Sequence, residues 1–120
     1  MLFFNWAFFS DTIEAFKEGL NLYGSDGVYL GRLTTNKYLA DSVFNEYGVY
    51  GSKYSQTSIW NQYSQYGSPY SNKSAFNSYA SYPPLIYFNN YFIGYLTTNN
   101  YKPNSLSPYH LYDWLLYNGF

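Results

Sequence analysis

The chain has 120 residues, no cysteine and a formal net charge of −1, with only 11 % charged residues. This length indicates one domain, and the absence of cysteine excludes disulfides and thiolate chemistry. The three lysines of residues 47–112 are far from the dense basic patch that phosphate-backbone binding needs, so we expect no nucleic-acid partner. Tyrosine contributes 18 residues. Because its hydroxyl needs a hydrogen-bond partner or water, we expect a small aliphatic core surrounded by tyrosines.

The first segment, residues 1–19, begins with an apolar run that is too short to span a bilayer. It lacks a basic region and a small-residue cleavage site, so no signal peptide is evident. We expect this run to dock on the core as a strand or helix. Residues 10–12 then cap a predicted helix over 13–20, which places Ile13, Phe16 and Leu20 on one face.

Two related segments, 20–38 and 85–101, are predicted to form β-hairpins. Each has two short apolar runs around a turn, Asp26-Gly27 in the first and Asn89-Asn90 in the second. These residues tolerate the positive φ that tight hairpin turns require. Both segments continue into Leu-Thr-Thr-Asn-x-Tyr, and the two copies of this string are offset by 63 residues. Pro83-Pro84 punctuates the entry to the second hairpin.

Between the hairpins, residues 39–84 contain a repeat with a period of 16. Copies begin at Ser42 and Ser58, and a broken third copy begins at Ser74. Each serine precedes an apolar pair, which predicts one helical turn that ends where Asn, or Gly48 in the first copy, adopts the left-handed conformation. The inward anchors are predicted to be Phe44, Trp60 and Phe76, and a second register contains Tyr38, Tyr54 and Tyr70.

The last segment, 107–118, is predicted to be a helix with Pro108 in its first turn and a buried stripe formed by Leu111, Trp114 and Leu115. Together these elements predict an α+β fold in a single domain, 1–120. It would consist of two β-hairpins forming a small sheet, a helix at each end, and a long loop-rich tyrosine-repeat insertion with short helical turns. Matched hairpins on both sides favour an insertion over an open-ended repeat array.

Residues 45–63, which read N-E-Y-G-V-Y-G-S-K-Y-S-Q-T-S-I-W-N-Q-Y, resemble a group of uncharacterised bacterial proteins with the pattern N-x-Y-G-x-Y-G-S-x-Y-S-x-x-S-I-x-N. The resemblance extends to the flanks at 29–33, 77–84 and 93–101 and covers roughly 20–117. It implies a small bacterial domain of unknown function that is often exported or at the cell surface and is sometimes joined to other domains. This chain departs from the pattern at Ser64, where the others have glycine, and in having no evident signal peptide.

No catalytic residues are predicted. A hydrolase would need His110 as its base, with Asp113 on the same helical face, but no serine lies in a nucleophile elbow. A single histidine, no cysteine and scattered carboxylates predict no metal site, and no glycine-rich phosphate loop is present. The sequence therefore indicates neither an enzyme nor a cofactor, and a hydrolase is a distant third interpretation.

The tyrosine array is the feature that favours a function, because exposed aromatic rings stack on sugars or bases. The sequence predicts a non-catalytic binding or surface-associated module whose partner is a polysaccharide or another protein. The candidate binding residues are Tyr47, Tyr50, Trp60, Tyr63 and Tyr66. The alternative is a structural, self-assembling module, since tyrosine-rich segments of low charge associate readily. The competing interpretation of each ring is that it packs in a loop-rich core.

Overall fold

The computed structural model describes residues 16–120. The predicted apolar N-terminal segment and the start of the predicted helix, over residues 1–15, lie outside the described residues. Residues 16–18 have no regular structure, and Leu20 begins the first strand. The part of the predicted N-terminal helix that the structure describes is therefore not helical.

Five strands form one mixed sheet. They are β1 (Leu20–Tyr23), β2 (Tyr29–Arg32), β3 (Leu85–Phe88), β4 (Tyr91–Leu96) and β5 (Ser105–Leu106), in the order β2-β1-β3-β4-β5. All neighbours pair antiparallel except β4 and β5, which are parallel. The central β1–β3 pairing joins segments that are far apart in the chain, for example Leu22 opposite Ile86.

The predicted fold class, two hairpins forming a small sheet with a helix at each end, is wrong. The strand pairs merge through β1 and β3 into one sheet, and β5 extends it in the parallel direction. Residues 16–120 contain a single helical segment, which begins as a 3₁₀ turn (Pro108–His110) and continues as α1 (Leu111–Tyr117). The Ser107 hydroxyl caps this segment by accepting from the Tyr109 N–H. Within α1, Leu111 and Leu115 are the buried residues.

The turn between β3 and β4 follows the predicted chemistry. Asn89 and Asn90 have φ of 48° and 70°, so both adopt the left-handed conformation that a two-residue hairpin turn needs. The Asn89 side chain also accepts from the Gly19 N–H at 2.6 Å. This bond anchors the chain entering β1 against the turn of the other strand pair.

The two related segments that are offset by 63 residues also share a local structure. The Arg32 N–H donates to the Asp41 carbonyl at 2.7 Å, and 63 residues later the Tyr95 N–H donates to the Asn104 carbonyl at 2.9 Å. In each unit a glycine precedes the donor, and a Cβ there would collide with the carbonyl of Asp41 or Asn104. In each, the chain therefore leaves a strand and returns to cover that strand's outer edge, by an isolated bridge in the first unit and by β5 in the second.

Residues 39–82, which we call the turn coil, are a succession of β-turns. The N–H that closes one turn belongs in most cases to the residue that opens the next, with steps of three residues that lengthen to four once in each of the first two copies. Four steps of three and one of four make up the 16-residue period. In the first copy the turns open at Ser42, Asn45, Gly48, Ser52 and Ser55. The period therefore consists of five turns and contains no helix.

The helical turns predicted within the repeat are absent, and so is the predicted left-handed asparagine. In the part of the chain that the structure describes, the non-glycine residues with positive φ are Asn89, Asn90 and Asn104, none of them in the turn coil. The glycines of the repeat serve a different purpose. A Cβ on Gly51 would collide with the backbone of Asn45, and one on Gly67 would collide with the carbonyls of Asn61 and Ile59. Glycine is required there because the turns approach closely.

The core lies between the sheet and the inner side of the turn coil. Its aliphatic members come from the strands, from α1 and from one position of each copy of the repeat, where Val43, Ile59 and Ala75 are fully buried. The serine before each of these three residues is also fully buried. The turn coil therefore presents small polar and aliphatic residues to the core, which leaves its larger side chains for other surfaces.

Candidate binding surface

Most turns of the coil are held by the side chain of their first residue, which is Ser or Asn. In the turns opened by Ser or Asn, the side-chain oxygen accepts from the backbone N–H two residues later, for example Tyr47 N–H to Asn45 Oδ1 at 3.0 Å and Trp60 N–H to Ser58 Oγ at 3.1 Å. These are the Asx and Ser/Thr turns that such residues favour. The residue that donates this N–H is aromatic in most turns. The backbone of this aromatic residue is therefore held within a turn, and its place in the 16-residue period decides where its ring points.

Asparagine also links turns that lie above one another. The side-chain amides of Asn45, Asn61 and Asn77 donate to the carbonyls six residues earlier, at 2.9–3.0 Å. Ser64 makes the same link to Ser58 at 2.9 Å through its hydroxyl. Every copy therefore carries its own polar cross-ties. The backbone that carries the aromatic rings is therefore held by hydrogen bonds as well as by packing.

The first aromatic position of each copy forms an inner ladder. The ring centroids of Phe44 and Trp60 lie 5.7 Å apart, and those of Trp60 and Phe76 lie 5.8 Å apart. The helical segment caps the two ends, with Tyr112 against Phe44 and Tyr109 against Phe76. The indole N–H of Trp60 donates to the Val43 carbonyl at 2.6 Å, which ties the second copy to the first. Equivalent residues of consecutive copies therefore stack side by side.

Two other aromatic positions point to solvent. We call them the exposed tyrosine rows, because each row contains the equivalent residue of consecutive copies. Their side chains are between 80 % and 100 % exposed. The first row contains Tyr47, Tyr63 and Tyr79, and the second contains Tyr38, Tyr54 and Tyr70.

The remaining aromatic position, occupied by Tyr50, Tyr66 and Tyr82, is buried or half-buried in two of its three copies. Tyr66 is only 3 % exposed, and its hydroxyl donates to Asp26 at 2.8 Å. Burial, followed by this hydrogen bond and the negative charge of Asp26, raises the pKa of Tyr66 to about 12. Tyr50 is half-buried with its ring 5.0 Å from that of Tyr29, whereas Tyr82 is exposed. This position mainly connects the coil to the sheet.

Asp26 shows how the coil and the first strand pair are joined. Its partial burial alone would raise its pKa, yet the pKa lies below its usual value, because the Tyr66 hydroxyl, the Val28 N–H and the Lys73 ammonium stabilise the carboxylate. Lys73 Nζ lies 3.3 Å from Asp26 Oδ2. The carboxylate is therefore a structural acceptor at this junction.

The five candidate binding residues fall into different environments. Tyr47 and Tyr63 are exposed and belong to the same row. Trp60 is half-buried in the ladder, Tyr50 is half-buried against Tyr29, and Tyr66 is buried. The structure thus leaves Tyr47 and Tyr63 on the exposed surface, holds Trp60 in the ladder and directs Tyr50 and Tyr66 towards the sheet.

Four members of the exposed rows are absent from the sequence-derived candidates. A signal for them exists in the sequence, because each follows a Ser or Asn by two residues in the triplet Ser/Asn-x-Tyr. These four are Tyr38, Tyr54, Tyr70 and Tyr79. The same triplet occurs outside the coil at Asn99 and Tyr101, where the Tyr101 N–H donates to Asn99 Oδ1 at 3.1 Å.

Two hollows open along the ladder, and tyrosines of the exposed rows line the first of them but not the second. The first, of about 740 Å³, is floored by Phe44 and Trp60 and edged by Tyr47 and Tyr54. The second, of about 250 Å³, is floored by Trp60 and Phe76. Both are open to solvent, and both combine apolar rings with polar edges.

The other chemistries considered from the sequence have no assembled site. His110 and Asp113 are both exposed, and no hydrogen bond or ion pair joins them. Within residues 16–120, no group of three or more His, Cys, Asp or Glu side chains is placed to hold a metal ion. None of the helices described between residues 16 and 120 has the length and apolar character needed to cross a membrane.

In comparisons with known proteins, no family model, curated protein or solved structure matches the chain.

Proposed function

We propose that the chain is a non-catalytic binding module and that it binds polysaccharide through the exposed tyrosine rows. The single observation that carries this proposal is the exposure of six tyrosines, between 80 % and 100 %, five of them at repeated positions of the hydrogen-bonded turn coil and the sixth, Tyr38, directly before it. Tyrosine presents a large, rigid and amphipathic contact area that loses little conformational entropy on binding.

The chemistry of the rows favours a carbohydrate over other ligands. A ring face stacks on the apolar face of a sugar, and the phenol hydroxyl can donate to or accept from the sugar hydroxyls. Among the residues that line the two hollows, only Glu46 and Lys53 are charged, one of each sign. A nucleic acid would need a net positive surface. The resemblance to uncharacterised bacterial proteins that are often exported fits a module that meets extracellular polysaccharide.

The proposal is tested by affinity electrophoresis and by pull-down with insoluble polysaccharides, using cellulose, chitin and a panel of α- and β-glucans. We expect saturable retention by at least one polymer. The Tyr47→Ala/Tyr63→Ala double variant should lose at least about tenfold in affinity, because each stacked ring contributes about 1–3 kcal/mol when the ligand is a base and we expect a similar contribution from a sugar. Circular dichroism and thermal unfolding would verify that the variant is folded.

Tyr101→Ala is the matched control. Tyr101 is 93 % exposed and occupies the same Asn-x-Tyr turn, but it lies outside the turn coil. The control should bind like the unchanged chain. Equal loss in both variants, or no retention by any polymer, would contradict the proposal. Analytical ultracentrifugation across a wide concentration range addresses self-assembly: reversible association that depends on Tyr47 and Tyr63 would favour the structural alternative.

A further inference from the structure

The two hollows are related to each other by the repeat. The apolar floor of the first is formed by Val43, Phe44 and Trp60, and that of the second by Ile59, Trp60 and Phe76, each residue 16 positions later. The same shift relates Gly51 to Gly67 at the edge. Because consecutive copies stack through the aromatic ladder, the hollows lie next to each other and share Trp60.

The hollows differ in size and in charge. Glu46 and Lys53 line the first, whereas Gln62 and Pro69 stand at the equivalent positions of the second. The opposite charges in the first and the absence of charge in the second leave the pair neutral. Tyr109 from the helical segment narrows the second to about 250 Å³. A neutral ligand suits both hollows, because the first contains one charge of each sign and the second contains none.

Two adjacent, equivalent and neutral hollows match a ligand that itself repeats. A linear glycan of neutral sugars presents the same face and the same hydroxyls at regular intervals, so one unit can occupy the larger hollow while a later unit reaches the smaller one. The second contact is then intramolecular, and it strengthens binding without any new kind of interaction. A single sugar can use only one hollow at a time.

We propose that the two hollows are consecutive subsites for one linear chain of neutral sugars, with the hollow beside Tyr47 and Tyr54 as the main subsite and the hollow beside Pro69 and Tyr109 as the auxiliary one. This proposal rests on the function proposed above and specifies its ligand: an extended neutral glycan recognised over several units. It also assigns Trp60 to the wall between the subsites, since that ring lines both hollows.

The test is isothermal titration with cello-oligosaccharides and chito-oligosaccharides of one to six units. We expect affinity to rise by about tenfold or more at the length that first spans both hollows, and to level off beyond it. Gln62→Trp would fill the auxiliary hollow from its exposed edge. In this variant long oligomers should bind no better than short ones, while short oligomers keep their affinity. Lys102→Trp adds the same side chain at a residue that lines neither hollow; it is the control and should preserve the length dependence.

Different results would overturn the two proposals. Retention of a polymer that depends on Tyr47 and Tyr63, but with affinity independent of oligomer length, would overturn the two-subsite arrangement and leave the binding function intact. Unchanged length dependence in Gln62→Trp would do the same. Equal or tighter binding of the acidic polymer polygalacturonate would overturn the neutral-ligand assignment. Failure of every polymer and oligomer to bind would remove the binding function, and the subsites with it.

Discussion

The sheet and the turn coil solve the same structural problem in different ways. In the sheet, backbone hydrogen bonds join residues distant in sequence, such as Leu22 and Ile86, and bulky aliphatic side chains fill the core. In the coil, backbone bonds join residues three or four positions apart, and small residues such as Ser58 and Ala75 face inward. The coil therefore relies on local turns where the sheet relies on long-range pairing.

The difference teaches how an irregular segment can be well ordered. No buried side-chain nitrogen or oxygen among the described residues lacks a hydrogen-bond partner. In the coil these partners are largely its own backbone, reached by Ser and Asn side chains. Since its buried polar groups are satisfied internally, the coil holds its backbone in place while some of its rings point outward. The sheet, by contrast, uses many of its large residues for the core.

The largest expected loss of stability comes from adding a side chain where two turns approach closely. In Gly51→Ala the added methyl group would collide with the backbone of Asn45, which cannot move without opening the preceding turns. We expect the free energy of unfolding to fall by about 3 kcal/mol, the upper end of the range for overpacking. Urea unfolding followed by tyrosine fluorescence would measure it.

Gly27→Ala separates this close-approach effect from the general cost of replacing glycine. A Cβ at Gly27 meets no atom within 4 Å, but its φ of 86° is strained for alanine. The expected loss is therefore only about 1–2 kcal/mol. A loss in Gly51→Ala no larger than that in Gly27→Ala would mean that the turns of the coil are not closely apposed.

The next effect concerns the polar cross-ties. Asn61 is buried, accepts from the Tyr63 N–H at 2.9 Å and donates to the Ser55 carbonyl at 2.9 Å. Asn61→Ala removes both bonds and leaves their backbone partners unsatisfied, so we expect a loss of about 2 kcal/mol. Asn99→Ala, in the same triplet outside the coil, removes one bond to a half-buried turn and should lose about 1 kcal/mol or less. Equal losses in thermal unfolding would contradict a special role for the cross-ties.

A smaller effect is expected where the coil meets the sheet. Tyr66→Phe keeps the ring and removes the hydrogen bond to Asp26, for an expected loss of about 1.5 kcal/mol near neutral pH. The pKa of Tyr66 is raised from 10.0 to about 12, so the folded state holds this proton more tightly than the unfolded state. The resulting stability is complete below pH 10 and disappears as the pH rises through about 12.

Alkaline unfolding measures this linkage directly. The free energy of unfolding of the unchanged chain should decline between pH 10 and 12, and the decline should be shallower in Tyr66→Phe. It should not vanish, because burial, with the charge of Asp41, also raises the pKa of Tyr29. Identical slopes in the two proteins would show that Tyr66 does not link the coil to Asp26.

One turn of the sheet was visible in the sequence because turn chemistry is local. Asn89-Asn90 could be recognised as a turn without reference to the rest of the chain. The joining of β1 to β3 could not, since it depends on which strands meet when the coil folds back. The parallel strand β5 has only two residues, Ser105 and Leu106, which is too short for an alternating pattern.

In the coil, the 16-residue period was evident but its internal structure was not. Steps of three and four residues match neither the helical nor the strand period, so pattern analysis indicated irregular structure. Only some of the exposed tyrosines could be identified from the sequence, for a related reason. Tyr47 and Tyr50 both follow small turn-forming residues, yet one is exposed and the other packs against Tyr29. Which turn faces the sheet is decided by tertiary packing.

The smallest expected effect concerns the exposed rows. Thr57 occupies the same turn position as the row tyrosines, and its N–H donates to Ser55 Oγ in the same way. Threonine is therefore compatible with this backbone, and Tyr63→Thr and Tyr70→Thr should each change the free energy of unfolding by less than about 0.5 kcal/mol. Urea unfolding of each variant would measure this, and a loss above about 1.5 kcal/mol would mean that the rings support the fold. If stability is unchanged, the fold does not require tyrosine at these turn positions. That result would support the proposal that the rings serve binding.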